Sequence, residues 1–566
     1  MQITNLIHFK NLRGDIFGGL TTAIISLPLA LAFGVASGAG AIAGLYGAVC
    51  VGFFAAFFGG TPTLISEPTG PMTVVMTAVV AGLTAKAASP EEGLALAFTV
   101  VMLAGVFQIL FGVFRLGKYI TLMPYSVISG FMSGIGVILI ILQIAPFLGQ
   151  ASPKGGVLGT LSALPELLQN IDPIETLLGV ITLAVIFFVP SKAKKYCPPQ
   201  LAALVVGTLV YLFFFKGEDV RIIGEIPMGL PELQMPTISL PNLTLMLVDA
   251  VMLGMLGCID TLLTAVISDS LTRTEHDSNK ELIGQGIGNL VSGICGGLPG
   301  AGATMGTVVN IQTGAKTAVS GITRALILLV VVLGAANLTE NIPMAVLAGI
   351  ALKVGIDILD WSFLKRAHQV SVRGTVIMYG VMFLTVFVDL IVAVGVGLFI
   401  ANILTIDRLS SLQSQEVKTI TDDDDELDLN EEEKQLLDRA NGRVLIFYLS
   451  GPMIFGVAKA ISREHNAIEN IDALILDLSD VPMLGVTASL ALENAIVEAI
   501  DKGRHVFIVG ATGSIKRRLE KFGILKRLPP HHLTIDRAEA LRQAVALVEH
   551  NPFRTTNMSE GSTASA

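Results

Sequence analysis

Charge is scarce in this chain. Only 15% of its 566 residues are Asp, Glu, Lys or Arg, while 52% are hydrophobic, and the mean hydropathy is +0.70. An average soluble domain is about one-quarter charged, so a wholly soluble protein is excluded. Cysteine is scarce too: Cys50, Cys197, Cys258 and Cys295 are scattered, three of them in apolar context. That leaves neither a disulfide framework nor a zinc site to expect. The eight histidines fall mostly in soluble or link regions, and no Ser/His/Asp, Cys/His or metal constellation accompanies them, so nothing points to an enzyme. The N-terminus carries polar and basic residues before a long apolar run and has no evident signal-peptide cleavage site.

What is present divides into parts. Residues 14 to about 410 are apolar runs joined by short polar links, and 414–566 read as a soluble domain with a tail. We therefore expect a transmembrane domain over 1–413, an acidic linker over 414–438, a soluble domain over 439–550 and a disordered tail over 551–566. Much of the net charge of −9 comes from the run Asp422 to Asp425 with Glu426, Asp428 and Glu431 to Glu433, a solvated block without metal-ligand spacing. In the soluble part, Arg443–Leu449, Ala473–Leu478 and His505–Val509 read as strands. Phe455–Ile468, 486–502 and Gly513–Phe522 read as helices, which together make a small α/β sandwich.

Apolar runs of about 17–25 residues can cross the hydrocarbon core. Fourteen crossings are predicted, at approximately 14–37, 41–59, 69–86, 93–114, 121–147, 174–190, 199–215, 243–270, 281–297, 304–315, 317–337, 342–358, 372–390 and 391–408. With the N-terminus inside, the inner links hold most of the cations, among them Lys10, Arg13, Arg115, Lys118, Arg273, Lys280, Lys316 and Arg408. The outer links hold Lys86, Lys154, Lys216 and Arg221. That asymmetry places both termini in the cytoplasm. Fourteen crossings divide as seven plus seven around 217–242, so in an inverted repeat the third helix matches the tenth.

Both of those helices are interrupted. Pro299 to Thr307 holds a proline and three glycines in a stretch where a membrane helix ought to run on, and Ser66-Glu67-Pro68-Thr69-Gly70-Pro71-Met72-Thr73 has the same character. The backbone is expected to be extended there before a short helix starts. Matched interruptions in two halves are the sequence pointer to a transporter site. Thr69, Gly70, Met72 and Thr73 would lie at one half-helix N-terminus, and Ala303, Thr304, Met305 and Gly306 at the other. Each end offers about half a positive charge and unpaired N–H groups, which suit a small anion. No Lys or Arg lies between 296 and 315 to serve a polyanion.

Asp260 lies near mid-membrane, 11 residues after Asp249 and 13 before Arg273. A carboxylate there costs about 2.5–3.5 kcal/mol on insertion scales, so it marks function. Thr264 shares its helix face. With carbonyls freed at Gly302, Ala303 and Thr304 opposite, these residues would make a hard oxygen site suited to Na⁺. A protonatable carboxylate coupling to H⁺ and a structural one bonded to a neighbouring helix are the other readings. Arg324 is placed in the eleventh helix facing the bundle, Glu67 at the site entrance or capping a half-helix, and Lys353 and Asp389 near helix ends, free to snorkel.

The sequence resembles the SulP (sulfate permease) anion transporters at Gly14-Asp15, Leu27-Pro28-Leu29-Ala30, Gly44-Leu45-Tyr46, Pro124 to Phe131, Glu281-Leu282 to Gln285-Gly286 and Asn289, and Asn310 with Gly314-Ala315-Lys316-Thr317. Its soluble part, at Asp477 to Pro482 and Lys516 to Gly523, is similar to a STAS domain. The resemblance implies a fourteen-helix, seven-plus-seven inverted-repeat transporter with core and gate domains, usually a homodimer, and an anion site between helices 3 and 10. It is nearest to members that import bicarbonate with Na⁺ across the plasma (inner) membrane. Carried over, the sodium ligands are Asp260, Thr264, Gly302, Ala303 and Thr304. Many members have a basic residue near Gly306, a Gln where Leu29 follows the first-helix Pro, and an Asp-containing turn where this chain has Gly485-Val486-Thr487. The first departure favours a cation-assisted site, the second removes a polar substrate contact, and the third argues against phosphorylation at Ser479 or Thr487. An H⁺-coupled sulfate or dicarboxylate transporter and a membrane sensor signalling through its STAS domain are the alternative functions.

Overall fold

The structure is a computed structural model. It describes residues 4–120, 124–190, 198–224, 230–334, 339–388, 390–415, 417–421, 429–454 and 471–550. The expected helix Phe455–Ile468, Asp389, Cys197, the acidic residues 422–428 and the tail 551–566 lie outside the described residues. The chain divides into two compact units, Met1–Phe399 and Ile400–Ala566.

The first unit is helical, and every apolar run expected to cross the membrane contains a helix. The order is Leu12–Ala36, Ala41–Phe58, Gly70–Thr84, Pro90–Val113, Tyr125–Phe147, Pro173–Phe188, Pro199–Val210, Leu243–Thr272, Ser278–Ile294, Thr304–Gln312, Val319–Gly334, Met344–Ile358, Val372–Phe387 and Leu390–Gln415, the last running into the second unit. Among the described residues, six helices are long and apolar enough to cross by themselves. The others are shorter, for local reasons. Pro71 sits in the first turn of Gly70–Thr84, and Gly296, in the left-handed region at φ +64°, ends Ser278–Ile294 three residues before the expected limit. At about 1.5 Å per residue, the 9-residue helix Thr304–Gln312 covers less than half of a hydrocarbon core.

Among the described residues of the first unit, two helices longer than the single turn Gly117–Ile120 were not expected from apolar runs. Gly156–Gln169 meets Pro173–Phe188 at a bend of 113°, and Trp361–Val370 carries Lys365 and Arg366. Both are amphipathic, with few buried positions, so they leave no apolar run to read.

The helices sort into two bundles. Leu12–Ala36, Ala41–Phe58, Pro90–Val113, Leu243–Thr272, Ser278–Ile294 and Val319–Gly334 pack on one another, while Tyr125–Phe147, Pro173–Phe188, Pro199–Val210, Met344–Ile358 and Val372–Phe387 form a second group. Close packing in the first bundle depends on small residues: a Cβ on Gly44 would lie 1.8 Å from the carbonyl oxygen of Ala30. Within this bundle the two interrupted stretches meet. Strand β1 (Ser66–Glu67) pairs antiparallel with β2 (Ala301–Gly302), Ser66 opposite Gly302 and Glu67 opposite Ala301.

The second unit is an α/β domain around a five-stranded sheet, in spatial order β3 (Val417–Ile420), β4 (Val444–Ser450), β5 (Ala473–Asp480), β6 (His505–Val509) and β7 (Leu533–Thr534). β3 is antiparallel to β4 and the rest are parallel. The period of two is visible in β4. Leu445, Phe447 and Leu449 enter the core on one face with Leu492, Ile496 and Leu519, and Val444 and Ile446 enter the other with Leu436, Leu541 and Val545. The expected linker 414–438 is therefore structured in its described part. Val417 and Ile420 bury their side chains as an edge strand, and Asn430 and Glu433 close a capping box on helix Glu431–Ala440.

Candidate anion and cation site

Unwound backbone inside a membrane protein must find hydrogen-bond partners that lipid cannot supply. Here buried side chains supply them. Asn289 accepts from the Gly300 N–H at 2.7 Å and donates to the Gly300 carbonyl at 2.9 Å. Gln285 donates to the same carbonyl at 3.0 Å and accepts from Ser66 Oγ at 2.9 Å, tying both stretches together. Arg324 is wholly buried; it donates to the Ser66 carbonyl and Ser26 Oγ, each at 2.9 Å, and to Glu67 Oε2 at 2.8 Å. Asp15 accepts from the N–H groups of Lys316 and Thr317 at 2.7 and 3.0 Å, fixing the turn beyond the half-helix. Asn310 donates to the Thr63 carbonyl at 2.9 Å, so the motif residues Asp15, Gln285, Asn289 and Asn310 work as supports for backbone. Glu67 is a partner of Arg324 and also borders the cavity described below.

On this frame the expected cation ligands come together. Asp260, in the interior of the 30-residue helix Leu243–Thr272, is 6% exposed, and its Oδ2 accepts from Thr69 Oγ1 at 2.8 Å. One turn on, Thr264 Oγ1 donates to the Gly302 carbonyl at 2.8 Å and lies 2.9 Å from Thr304 Oγ1. Thr261 Oγ1 accepts from the Gly302 N–H at 3.0 Å, and the Ala303 N–H donates to the Ile65 carbonyl at 2.7 Å. A carboxylate, hydroxyls and the Gly302 carbonyl are therefore gathered where the two interrupted stretches pass the helix carrying Asp260, while the Ala303 carbonyl, expected to be free, accepts from the Thr307 N–H at 2.9 Å as the half-helix begins. Such a donor set has the hardness that alkali and alkaline-earth cations prefer.

Asp260, Gly302, Ala303 and Thr304 open onto a cavity of about 530 Å³ that also has Thr69, Gly70 and Met305 in its wall. Its other side comes from the second bundle, through Met132, Gln200, Val354, Asp357 and Ile358, so the cavity lies between the bundles. The N-terminal ends of Gly70–Thr84 and Thr304–Gln312 both reach it. Pro71 has no N–H, so the first of these ends has fewer donors than a helix N-terminus normally presents. Met72, Thr73 and Gly306 lie one layer back. Met72 is fully buried, Thr73 Oγ1 donates to the Thr69 carbonyl at 2.8 Å, and a Cβ on Gly306 would meet Ile65 at 3.1 Å. The three acids in the wall differ. Glu67 pairs with Arg324 and Asp357 with Lys353, while Asp260 has no ion-pair partner among the described residues.

The family profile for the Sulfate permease family matches residues 12–381, and that for the STAS domain matches residues 436–538. The chain belongs to the sulfate permease family. A curated relative, the bicarbonate transporter BicA of a Picosynechococcus species, is 68% identical over 547 residues, 96% of this chain and 97% of the relative. The solved transmembrane domain of a cyanobacterial BicA is also 68% identical and superposes with a TM-score of 0.67, covering 69% of this chain and all of that one. SLC26A9, at 18% identity, superposes with a TM-score of 0.82 over 96% of this chain and 92% of its own, which shows a shared fold. The chain is thus a multi-pass membrane protein of a transporter family, not an enzyme, with a mostly helical transporter fold and a C-terminal STAS domain.

For a sulfate permease of this kind, the sequence reading leaves out the wall contributed by the second bundle. Gln200, Met132 and Asp357 border the cavity. Lys353, expected near a helix end and free to reach the interface, is instead held by Asp357 one turn on. The signal available was that spacing, an acid and a base at i and i+4 in an apolar helix. Gln200 had only its place after Pro198-Pro199 to mark it.

Proposed function

We propose that this chain imports bicarbonate together with Na⁺ by alternating access across the plasma (inner) membrane. The observation that carries the reading is Asp260, a buried carboxylate without an ion-pair partner among the described residues, placed in the cavity that both half-helix N-termini reach. A lone buried carboxylate is costly unless a cation or a proton joins it. Na⁺ held by Asp260, Thr264, Gly302, Ala303 and Thr304 would discharge that cost. With Asp260 neutralised, the partial positive charges at Gly70 and at Ala303 to Met305 would hold a small planar anion beside Thr69, with Met72, Thr73 and Gly306 behind it. With Asp260, Na⁺ and a singly charged anion, the loaded site carries one net negative charge instead of the two it would carry without Na⁺, which lowers the barrier to moving it past an apolar wall.

The 68% identity to a protein named a bicarbonate transporter supports the choice of anion. The framework proposed for it is a seven-plus-seven inverted repeat, with both termini cytoplasmic and a homodimer to which the STAS domain contributes. In this scheme the first bundle carries the site and rocks against the second.

Uptake of labelled bicarbonate, sulfate and succinate into proteoliposomes tests the substrate. The expected result is saturable bicarbonate uptake that unlabelled sulfate and succinate do not compete away. Uptake of sulfate or succinate driven by a pH gradient, without bicarbonate uptake, would overturn the assignment.

A further inference from the structure

A second cavity, of about 710 Å³, adjoins the first. The two share Gln200, Met305, Val309 and Asp357 in their walls, so these residues form the border between them. Beyond the border the wall includes Phe17 and Thr21 in the first half of Leu12–Ala36 and Gln312 and Thr313 at the end of the half-helix, so the second cavity leads away from the half-helix N-terminus. It also contains Lys353, the single Lys or Arg among the described residues lining either cavity. The Lys353 ammonium is paired with Asp357 and lies 5.4 Å from the centre of the Phe187 ring.

We propose that the second cavity is a transfer site for the transported anion, in which Lys353 supplies the cation and Asp357 is a competing counter-charge. The proposal rests on the anion-transport reading given above. A carboxylate on the border of an anion path repels the cargo unless it is neutralised, and Lys353 neutralises it. The pair in turn hides the ammonium, whose N–H donors become available only to an anion close enough to compete with Asp357. Conduction needs a site attractive enough to enter and weak enough to leave, and a cation already shared with a carboxylate meets both requirements. Gln200 fits the same role. Among the described residues its Nε2 donates to the Met305 sulfur at 3.9 Å, a weak acceptor, so its amide can turn to a passing oxyanion.

The test is a charge cycle in reconstituted full-length protein, comparing Lys353→Gln, Asp357→Asn and the double variant by KM and kcat for the anion that the wild type carries. Lys353→Gln leaves Asp357 bare and is expected to raise KM roughly tenfold. Asp357→Asn frees the ammonium and is expected to lower KM and slow turnover several-fold, because the anion is held longer. The double variant, with no charge on the border, is expected to have a KM closer to wild type than Lys353→Gln has. Recovery in the double variant is common to both cases, but a merely structural ion pair gives a different pattern: both single variants lose activity alike and Asp357→Asn does not lower KM. That result, or unchanged kinetics in Lys353→Gln, would overturn the proposal. If Lys353→Gln does not fold, unchanged KM and kcat in Asp357→Asn overturn it alone. A wild type that carries another anion overturns the bicarbonate reading, and the same ordering, measured with that anion, still decides the role of the pair.

Discussion

Arg324 has no solvent exposure, and its guanidinium donates to Ser26, Ser66 and Glu67, so one side chain fixes the first helix to the strand beside the site. Removing one partner of a buried ion pair leaves an uncompensated charge and typically costs about 3–5 kcal/mol. Arg324→Ala is therefore expected to lower the unfolding temperature of the purified protein markedly. Arg324→Ala combined with Glu67→Gln is expected to recover part of the loss, because the stranded carboxylate is gone. Equal melting of wild type and Arg324→Ala would contradict that role. At this scale much of the site was legible. A carboxylate in the middle of an apolar helix is expensive wherever it points, which is why Asp260 could be singled out from the sequence. Whether Arg324 faced Glu67, or Lys353 faced Asp357, depends on helix rotation and on partners far away in the chain, and no local pattern encodes that.

At the scale of elements, the paired interruptions were legible because Pro and Gly mark a break whatever surrounds it. Their pairing as β1 and β2 was not legible, since two-residue strands are too short to show alternation. The approach of these strands depends on Gly300, where a Cβ would lie 2.7 Å from the backbone carbon and oxygen of Glu67. Gly300→Ala must push the stretches apart and displace the half-helix that follows. Misplacement by about an ångström can cost on the order of a hundredfold in rate, so uptake per reconstituted molecule is expected to fall at least about tenfold. Wild-type uptake by Gly300→Ala would show that the approach is not needed. The edge strand Val417–Ile420 and the helices Gly156–Gln169 and Trp361–Val370 escaped sequence reading for a related reason. They are short or amphipathic and sit beside polar or acidic stretches that mask their buried residues.

At the scale of the whole molecule, composition alone separated an apolar part from a soluble one, because a bilayer and water demand different residues along hundreds of positions. The division into Met1–Phe399 and Ile400–Ala566 falls close to that compositional change. The proposed transport cycle depends on how the two bundles of the first unit meet at the cavity holding Asp260. Its central claim is that a cation at Asp260 enables anion transport. The most direct test is bicarbonate uptake into proteoliposomes with and without an inward Na⁺ gradient, for wild type and Asp260→Asn. The account expects wild-type uptake to require Na⁺ and the variant, which keeps the size of the side chain but loses its charge, to fall at least about tenfold. Bicarbonate uptake that is indifferent to Na⁺ in both proteins would contradict it.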